Sequence, residues 1–123
     1  MRIDPSTLDL KEKVVFITGG TRGIGKAMAM AFMEEGARVG VNGRNMDAIA
    51  RFEDEFKGRD TLALKADIGN YNEMEAAAGA VVNKWGRVDI LINNAGIVNP
   101  LMPAEKIKKD DFERVIDINL KGT

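Results

Sequence analysis

The chain has 123 residues, of which 45% are hydrophobic, and its 18 basic and 19 acidic side chains leave a net charge of −1. This length is typical of one domain, and the balanced charge excludes an overall electrostatic attraction to nucleic acid or an anionic membrane. The absence of His and Cys excludes Ser–His–Asp chemistry, disulfides and zinc sites of the His/Cys type. No apolar run approaches the ~20 residues that span a bilayer and the N-terminus does not resemble a signal peptide, so we expect a cytoplasmic protein.

Short apolar runs alternate with helical patterns along the chain. The run Lys13–Thr18 (KVVFIT) has the length and composition of a strand that is buried on both faces of a parallel sheet. A helix over Gly23–Glu35 follows and ends at Gly36. Its apolar residues at helical spacing are Ile24, Ala27, Met28, Ala31 and Phe32.

The next two units repeat this pattern. Arg38–Asn42 is predicted as the second strand and Thr61–Lys65 as the third, with a helix over Asn45–Lys57 between them. That helix is closed by Gly58, and its apolar stripe consists of Met46, Ile49, Phe52 and Phe56.

A third helix and a fourth strand follow. Asn70-Tyr71-Asn72-Glu73 has the form of a capping box with Asn in place of Ser or Thr. The helix that it opens ends at Gly86, and its inward residues are Met74, Ala77, Ala78, Val81 and Trp85. Val88–Asn93 (VDILIN) is the fourth strand, and a Pro-containing loop, Asn99–Lys106, leads to a final helix that begins near Asp110 with Glu113 completing a box-like cap.

The alternation of strands with helices predicts the fold class. Helices of 10–15 residues between short strands indicate βαβ units and a parallel sheet. Right-handed crossovers then place helices on both faces, which gives an α/β, doubly wound, Rossmann-type domain.

The segment FITGGTRGIGKAMA, residues 16–29, predicts a sharp turn from strand to helix that directs backbone N–H groups at an anion. An ATP-binding P-loop matches from Gly20 to Lys26 but requires a hydroxyl where Ala27 stands, and the fourth strand ends in Asn rather than a carboxylate. The common dinucleotide pattern G-x-G-x-x-G fails because Met28 replaces its third Gly. On this segment alone, a tight turn that binds no ligand stays open as an alternative.

Four motifs together resemble those of the short-chain dehydrogenase/reductase family. They are the glycine motif Thr18-Gly19-x-x-x-Gly23-x-Gly25, the segment Asn93-Asn94-Ala95-Gly96 after the fourth strand, Asp67 in KADI, and Asn119 in VIDINLKGT. The chain resembles the N-terminal, cofactor-binding half of such an enzyme, of the 3-oxoacyl-acyl-carrier-protein reductase kind. The resemblance implies the strand order 3-2-1-4 and a single truncated domain over residues 1–123, with the C-terminal strands and helices missing.

The resemblance also implies which residues bind the cofactor and which one takes part in catalysis. Asn119 occupies the family's catalytic Asn position, where the side chain holds a water in a proton relay. The implied cofactor-binding residues are Thr18, Gly19, Thr21, Arg22, Gly23, Ile24, Gly25, Arg44, Asp67, Ile68, Asn93, Asn94, Ala95 and Gly96.

The end of the second strand indicates which nicotinamide cofactor is preferred. A site for NAD carries an acidic residue about 20 residues after the glycines, but that position is Gly43 here, and Arg44 follows. Arg22 in the glycine turn is a second cation near the same corner. Two guanidinium groups can bind a 2′-phosphate that a carboxylate would repel. We therefore predict NADP(H) as the preferred cofactor and NAD(H) as a possible one. We predict no metal site.

Asn119 stands out in the last helix, because it follows the apolar positions Phe112, Val115 and Ile116 on the predicted inward stripe. A buried amide without partners costs ~1–3 kcal/mol, so we expect it to be hydrogen-bonded. Bonding to a local backbone carbonyl and the family's relay role are both open.

The family's Tyr-x-x-x-Lys and its upstream Ser have no counterpart in the chain. Tyr71 is followed four residues later by Glu75, and Ser6 is in the N-terminal arm. The chain is then either a piece of a longer oxidoreductase or a short, non-catalytic nucleotide-binding module.

The intact enzyme would act on a small carbonyl or alcohol substrate. Loop Ile97–Ala104 would form part of the entrance to its substrate site. We also expect a homo-oligomer that associates through strand Val88–Asn93, an edge poorly protected against pairing, or through the last helix.

Overall fold

The structure is a computed structural model that describes residues 9–98 and 101–123. Most of the N-terminal arm, with Ser6, and the first two residues of the predicted loop Asn99–Lys106 lie outside the described residues. Within the described ranges, no helix is both long enough and apolar enough to cross a membrane.

Strands and α-helices alternate along the described chain, and the bounds agree with the predicted ones to within a few residues. A 3₁₀ turn, Ala104–Lys106, precedes the last α-helix, and a π-helical segment, Asp117–Lys121, continues it. The regular elements are β1 Val14–Ile17, α1 Gly23–Glu34, β2 Arg38–Gly43, α2 Met46–Glu55, β3 Thr61–Lys65, α3 Tyr71–Trp85, β4 Ile90–Ile92 and α4 Lys109–Ile116.

The four strands form one parallel sheet in the order β3-β2-β1-β4, which confirms the predicted Rossmann-type topology. Because alternate residues of a strand point to opposite faces, β1 contributes to two apolar layers. Val15 and Ile17 pack with α1 and α2, whereas Val14 and Phe16 pack with α3. The carboxyl ends of β1 and β4 lie side by side, with the chain diverging to either side of them.

The buried face of α1 differs from the predicted stripe. Met28 and Phe32 contact the core as expected, but Ile24, Ala27 and Ala31 are exposed. The residues that are buried instead are Gly25, Ala29 and Met33. The prediction was wrong because small residues of α1 pack closely against the sheet and the adjoining turns, a contact that apolar periodicity does not reveal. In α2 the stripe holds except for Met46, which is 57% exposed.

Asn side chains cap two helices. The Asn45 oxygen accepts from the Ala48 backbone N–H at 3.0 Å, and the Asn70 oxygen accepts from Glu73 N–H at 3.1 Å. The predicted capping box of α3 is only half formed, because the Asn70 N–H donates to the Asp67 carbonyl instead of to Glu73.

The start of α4 corrects a prediction. The helix begins at Lys109, its N-cap Lys108 makes no side-chain capping bond, and the box-like cap of Asp110 and Glu113 does not form. Asp110 and Asp111 lie instead in the first turn, where they interact favourably with the helix dipole.

The predicted inward stripe of the last helix is also wrong at two positions. Phe112 is 57% exposed and Asn119 is exposed, whereas Ile118 is only 7% exposed. The π-helical segment accounts for the exposure of Asn119 and the burial of Ile118, because its wider turn rotates these side chains relative to an α-helical count. Phe112 lies in α4, before this segment, which does not explain its exposure.

Strand β4 is shorter than predicted. At both ends side-chain hydrogen bonds accompany its backbone bonds to the β1 segment, which include Asp89 N–H to the Val14 carbonyl at 2.9 Å. At the start, the Asp89 carboxylate accepts from Val14 N–H at 2.8 Å. At the end, Thr18 N–H donates to Ile92, and the next backbone N–H groups, of Asn94 and Ala95, donate to the Thr18 hydroxyl at 3.0 and 3.1 Å.

Candidate functional site

The turn between β1 and α1 presents an open helix N-terminus. Gly19 and Gly23 have φ of 67° and 60°, in the left-handed region that favours glycine. No side chain among the described residues caps α1 at Arg22, and its first turn has no acidic residue. A Cβ built on Gly23 would meet no atom within 4 Å, so the space before the helix is open. Free N–H groups and the helix dipole make this an anion-binding position.

Asn94 and Ala95, which follow β4, pack tightly against this turn. The Asn94 side-chain nitrogen donates to the carbonyls of Thr18 and Gly19 at 3.1 and 3.2 Å. A Cβ at Gly25 would lie only 2.5 Å from that nitrogen and from the Gly19 oxygen, so a larger residue at position 25 would displace the contact. The predicted Gly19, Gly25 and Asn94 thus form one compact unit at the ends of β1 and β4.

A crevice of about 780 Å³ opens at the carboxyl ends of the strands, within the range of small-molecule sites. The structure brings ten of the predicted cofactor-binding residues to its wall: Gly19, Thr21, Arg22, Gly23, Ile24, Arg44, Ile68, Asn94, Ala95 and Gly96. Its position at the point where the chain diverges is the one at which open α/β sheets bind ligands.

The remaining four predicted cofactor-binding residues do not line the crevice. Thr18 is 3% exposed and its hydroxyl fixes the segment after β4, while Gly25 is buried within the packed turn. Asn93 is exposed. Asp67 lines a smaller adjoining cleft of about 460 Å³ together with Arg44 and residues of α4.

Two arginines line the crevice, Arg44 directly after β2 and Arg22 in the turn before α1. One Arg44 nitrogen is 3.7 Å from an Asp67 carboxylate oxygen, and the other Asp67 oxygen accepts from Gly69 N–H at 2.9 Å. Both side chains of this ion pair are partly exposed, at 50% and 35%. Arg22 is exposed and takes part in none of the ion pairs found among the described residues.

Sequence reasoning missed several crevice residues, one of which is the buried and hydrogen-bonded Asn42. Its amide is 2% exposed, donates to the Ala66 carbonyl at 3.0 Å and accepts from Gly19 N–H at 3.3 Å. A polar residue that ends an otherwise apolar strand was the available signal. The other crevice residues not predicted to bind the cofactor are Gly43, Asn45, Ala66, Ile97 and Ile118.

The Asn119 side chain pairs with the backbone of Ile97. Ile97 lines the crevice, whereas Asn119 does not. Its oxygen accepts from Ile97 N–H at 2.8 Å, and its nitrogen donates to the Ile97 carbonyl at 2.7 Å. The expected hydrogen bonding is therefore present, but the partner is 22 residues away rather than local, and the side chain is exposed rather than buried.

The lysine and the metal site that a P-loop would require are not found at the crevice among the described residues. The Lys26 ammonium forms an ion pair with Glu55 of α2 and lies 5.9 Å from the centroid of the Phe56 ring. In the part of the chain that the structure describes, no group of three or more His, Cys, Asp or Glu residues could hold a metal ion.

Comparison with known proteins gives a consistent result. A profile described as short chain dehydrogenase matches residues 13–123. A 3-oxoacyl-[acyl-carrier-protein] reductase of Staphylococcus aureus is 40% identical over an alignment of 115 residues. The alignment covers 89% of this chain and 46% of that protein. An NADP-dependent 3-hydroxy acid dehydrogenase of Salmonella typhi is 35% identical over 109 residues, or 89% of this chain and 44% of that protein.

A solved structure agrees with the sequence matches. The 3-ketoacyl-(acyl-carrier-protein) reductase from Brucella melitensis, complexed with NADH, superposes with a TM-score of 0.87 at 37% identity, covering 92% of this chain and 46% of that one. The chain spans less than half the length of these relatives. With its glycine turn, its parallel sheet and these matches, the chain belongs to the short-chain dehydrogenase/reductase family.

Proposed function

We propose that residues 1–123 form the NADP(H)-binding domain of an oxidoreductase that transfers hydride between the nicotinamide and a carbonyl or secondary alcohol. The observation that carries this proposal is the crevice, which combines an uncapped helix N-terminus with two arginines and lacks a carboxylate at the end of β2. The nicotinamide, when bound, supplies or accepts the hydride. The residues of this chain bind and orient the cofactor.

The crevice residues suggest how the cofactor would be held. The free N–H groups at the start of α1 would take the pyrophosphate. Ala66 and Ile68 would form the apolar side of an adenine pocket, with Arg44 and Arg22 at the 2′-phosphate. This arrangement also fits Gly19, where an added Cβ would lie only 3.0 Å from the Ala95 Cα, so the lack of a side chain allows the two segments to pack closely.

Arg44 forms an ion pair with Asp67, so a phosphate would compete with this carboxylate. The pair is partly exposed and 3.7 Å long, and such a pair contributes about 0–1 kcal/mol. A 2′-phosphate carries a charge of about −1.5 to −2, against −1 for Asp67, and can bind a guanidinium through two parallel hydrogen bonds. We therefore propose that Arg44 turns from Asp67 toward the 2′-phosphate on binding.

The proposed catalytic contribution of this chain is limited to Asn119. Its double contact with Ile97 would fix the helix that follows α4 against the crevice wall, so that the family's proton relay is held in position. Since the chain has one Tyr, followed by Glu75 rather than Lys at the fourth position, we propose that the 123 residues bind cofactor without turnover.

The substrate class, assembly and location are extensions of this proposal. The relatives suggest a 3-oxoacyl thioester or another small 3-oxo or 3-hydroxy compound as substrate of the intact enzyme. A homo-oligomer is suggested by the exposed residues of β4 and α4, such as Leu91 and Phe112. The lack of Cys suits a reducing compartment such as the cytoplasm.

A nucleotide-binding module without catalysis is the second candidate, and the absent Tyr-x-x-x-Lys favours it for these 123 residues taken alone. Titration of nicotinamide fluorescence with NADPH and NADH, beside a displacement titration with Mg·ATP, tests the proposal. We expect NADPH to bind more tightly than NADH and Mg·ATP to displace neither. Equal affinities would contradict the NADP(H) preference, and tight Mg·ATP binding would contradict the dinucleotide site.

A further inference from the structure

The Thr21 side chain fills the space beside Gly43, the last residue of β2. A Cβ built on Gly43 would lie 2.6 Å from the Thr21 hydroxyl oxygen and 3.1 Å from its methyl carbon. Real Cβ atoms essentially never approach another heavy atom to 2.6 Å, so any side chain at position 43 requires Thr21 to move. Thr21 is itself only 7% exposed.

The backbone of Gly43 does not explain the glycine. Gly19 and Gly23 have positive φ, but Gly43 is outside that region, and its conformation is open to any L-residue. Gly43 is paired with Lys65 in the sheet, and its carbonyl accepts from Ala66 N–H at 3.0 Å. Because the strand is fixed on that side, the contact with Thr21 is what restricts position 43.

Rotation of Thr21 releases the space only in part. Its Cβ carries two heavy atoms, which occupy two of the three staggered positions. The two positions that now face Gly43 lie 2.6 and 3.1 Å from the added Cβ, so every staggered rotamer leaves a heavy atom at about one of these distances. Even at 3.1 Å, Thr21 must still shift by a few tenths of an ångström. Serine has a single heavy atom there and could turn it to the third position, whereas valine, like threonine, could not.

Position 43 is where an NAD site carries the carboxylate that binds the adenosine ribose hydroxyls. We propose that Thr21 is a specificity-determining residue, which excludes an acidic side chain from position 43 and so reserves this corner for a 2′-phosphate held by the arginines. This inference rests on the proposed nicotinamide site. It also predicts that an acidic residue at position 43 improves NADH binding only when Thr21 is replaced as well.

A set of 123-residue variants tests the proposal through cofactor affinity. Dissociation constants for NADH and NADPH are measured for wild type, Gly43→Asp, Thr21→Ser, Thr21→Ser/Gly43→Asp and Thr21→Val/Gly43→Asp. The effect of Thr21→Ser alone on the free energy of NADH binding is first subtracted from that of the double variant. With this correction, Thr21→Ser/Gly43→Asp should bind NADH about tenfold more tightly than Gly43→Asp. The Val/Asp variant should show no such gain. An equal gain in NADH affinity for Gly43→Asp alone, or for the Val/Asp variant, would overturn the proposal.

A double-mutant cycle on the Tm, measured without any cofactor, tests the steric contact between Thr21 and position 43. Because no cofactor is present, it separates failure of this inference from failure of the proposed function. Gly43→Ala should lower the Tm by about 5 °C, and in the Thr21→Ser background it should cause no loss. Gly79→Ala in α3 is the matched control, because its added methyl meets no atom within 4 Å and should raise the Tm. An equal loss in both backgrounds would overturn the inference, even if NADPH binds as proposed.

Discussion

Asn119 and Ile97 are joined by two hydrogen bonds that use both ends of one side-chain amide, at 2.8 and 2.7 Å. This contact ties the π-helical segment after α4 to the chain that follows β4. Among the other side chains only that of Gln carries an amide, and it is longer by one methylene group. The pairing is therefore both a structural clamp and the element that would place the proposed relay.

We expect Asn119→Ala to destabilise the chain by about 1–3 kcal/mol, because two hydrogen bonds of about 0.5–1.5 kcal/mol each are lost. Urea unfolding measures the change. Asn93→Ala is the control, since Asn93 is exposed and its side chain makes none of the hydrogen bonds found in the described residues. Equal destabilisation by the two variants would show that the Ile97 contact contributes nothing.

Arg44→Ala should weaken NADPH binding roughly 10- to 100-fold and change NADH binding little, because the lost contact is to the 2′-phosphate. Fluorescence titrations at two salt concentrations measure it, with the larger effect at low salt. Arg51→Ala is the control for loss of one positive charge, since Arg51 is an exposed residue of α2 outside the crevice. A matching loss for NADH would mean that Arg44 contacts another part of the cofactor.

Asp89 predicts a pH dependence of stability. The hydrogen bond from Val14 N–H, followed by the bond and charge of Arg87, lowers the pKa of Asp89 below its ordinary 3.8. A carboxylate with a lowered pKa contributes stability that is fully present above the unfolded value and is lost as the pH falls through the folded value. Asp89→Asn should therefore reduce stability at pH 7, with the difference from wild type shrinking below about pH 3.8.

Unfolding free energies from pH 7 to pH 2.5 check this sign. Asp54→Asn is the comparison, because Asp54 is exposed and its carboxylate takes part in none of the ion pairs in the described chain. A difference between wild type and Asp89→Asn that does not depend on pH would contradict the assignment.

The 123-residue chain should oxidise no NADPH in a manner that depends on a ketone or 3-oxoacyl thioester. Loss of most members of a catalytic unit is not compensated by the one that remains, and here Asn119 is the sole candidate. A substrate panel with purified protein measures this. Substrate-dependent turnover that scales with protein concentration would contradict the proposal that the chain only binds.

The approximate bounds of the strands and helices and the glycine turn could be predicted from sequence because each depends on residues that are near one another in the chain. Gly36, Gly58 and Gly86 end their helices with positive φ, as their positions in the sequence indicate. The four family motifs then supplied the order of the strands, which local patterns alone do not determine.

The features that sequence reasoning missed depend on contacts between distant segments. The burial of Gly25 results from its packing against Asn94, almost seventy residues later. Likewise, the exclusion of a side chain at Gly43 depends on Thr21 in a different turn. The exposure of Asn119 follows from a π-helical segment that a 3.6-residue period cannot predict.

Self-association through β4 is the last expectation, because this strand pairs with β1 on one side and is the edge of the described sheet. Its central residue, Leu91, is 54% exposed, and an apolar edge without Pro or Lys favours pairing with another chain. The exposed Leu120 of the π-helical segment offers a second surface, at 68%. Light scattering at micromolar concentration should show species larger than a monomer, and Leu91→Lys should reduce them more than Leu120→Lys does. The reverse order would place the contact on the last helix, and a wild-type monomer with a cooperative melt would contradict both.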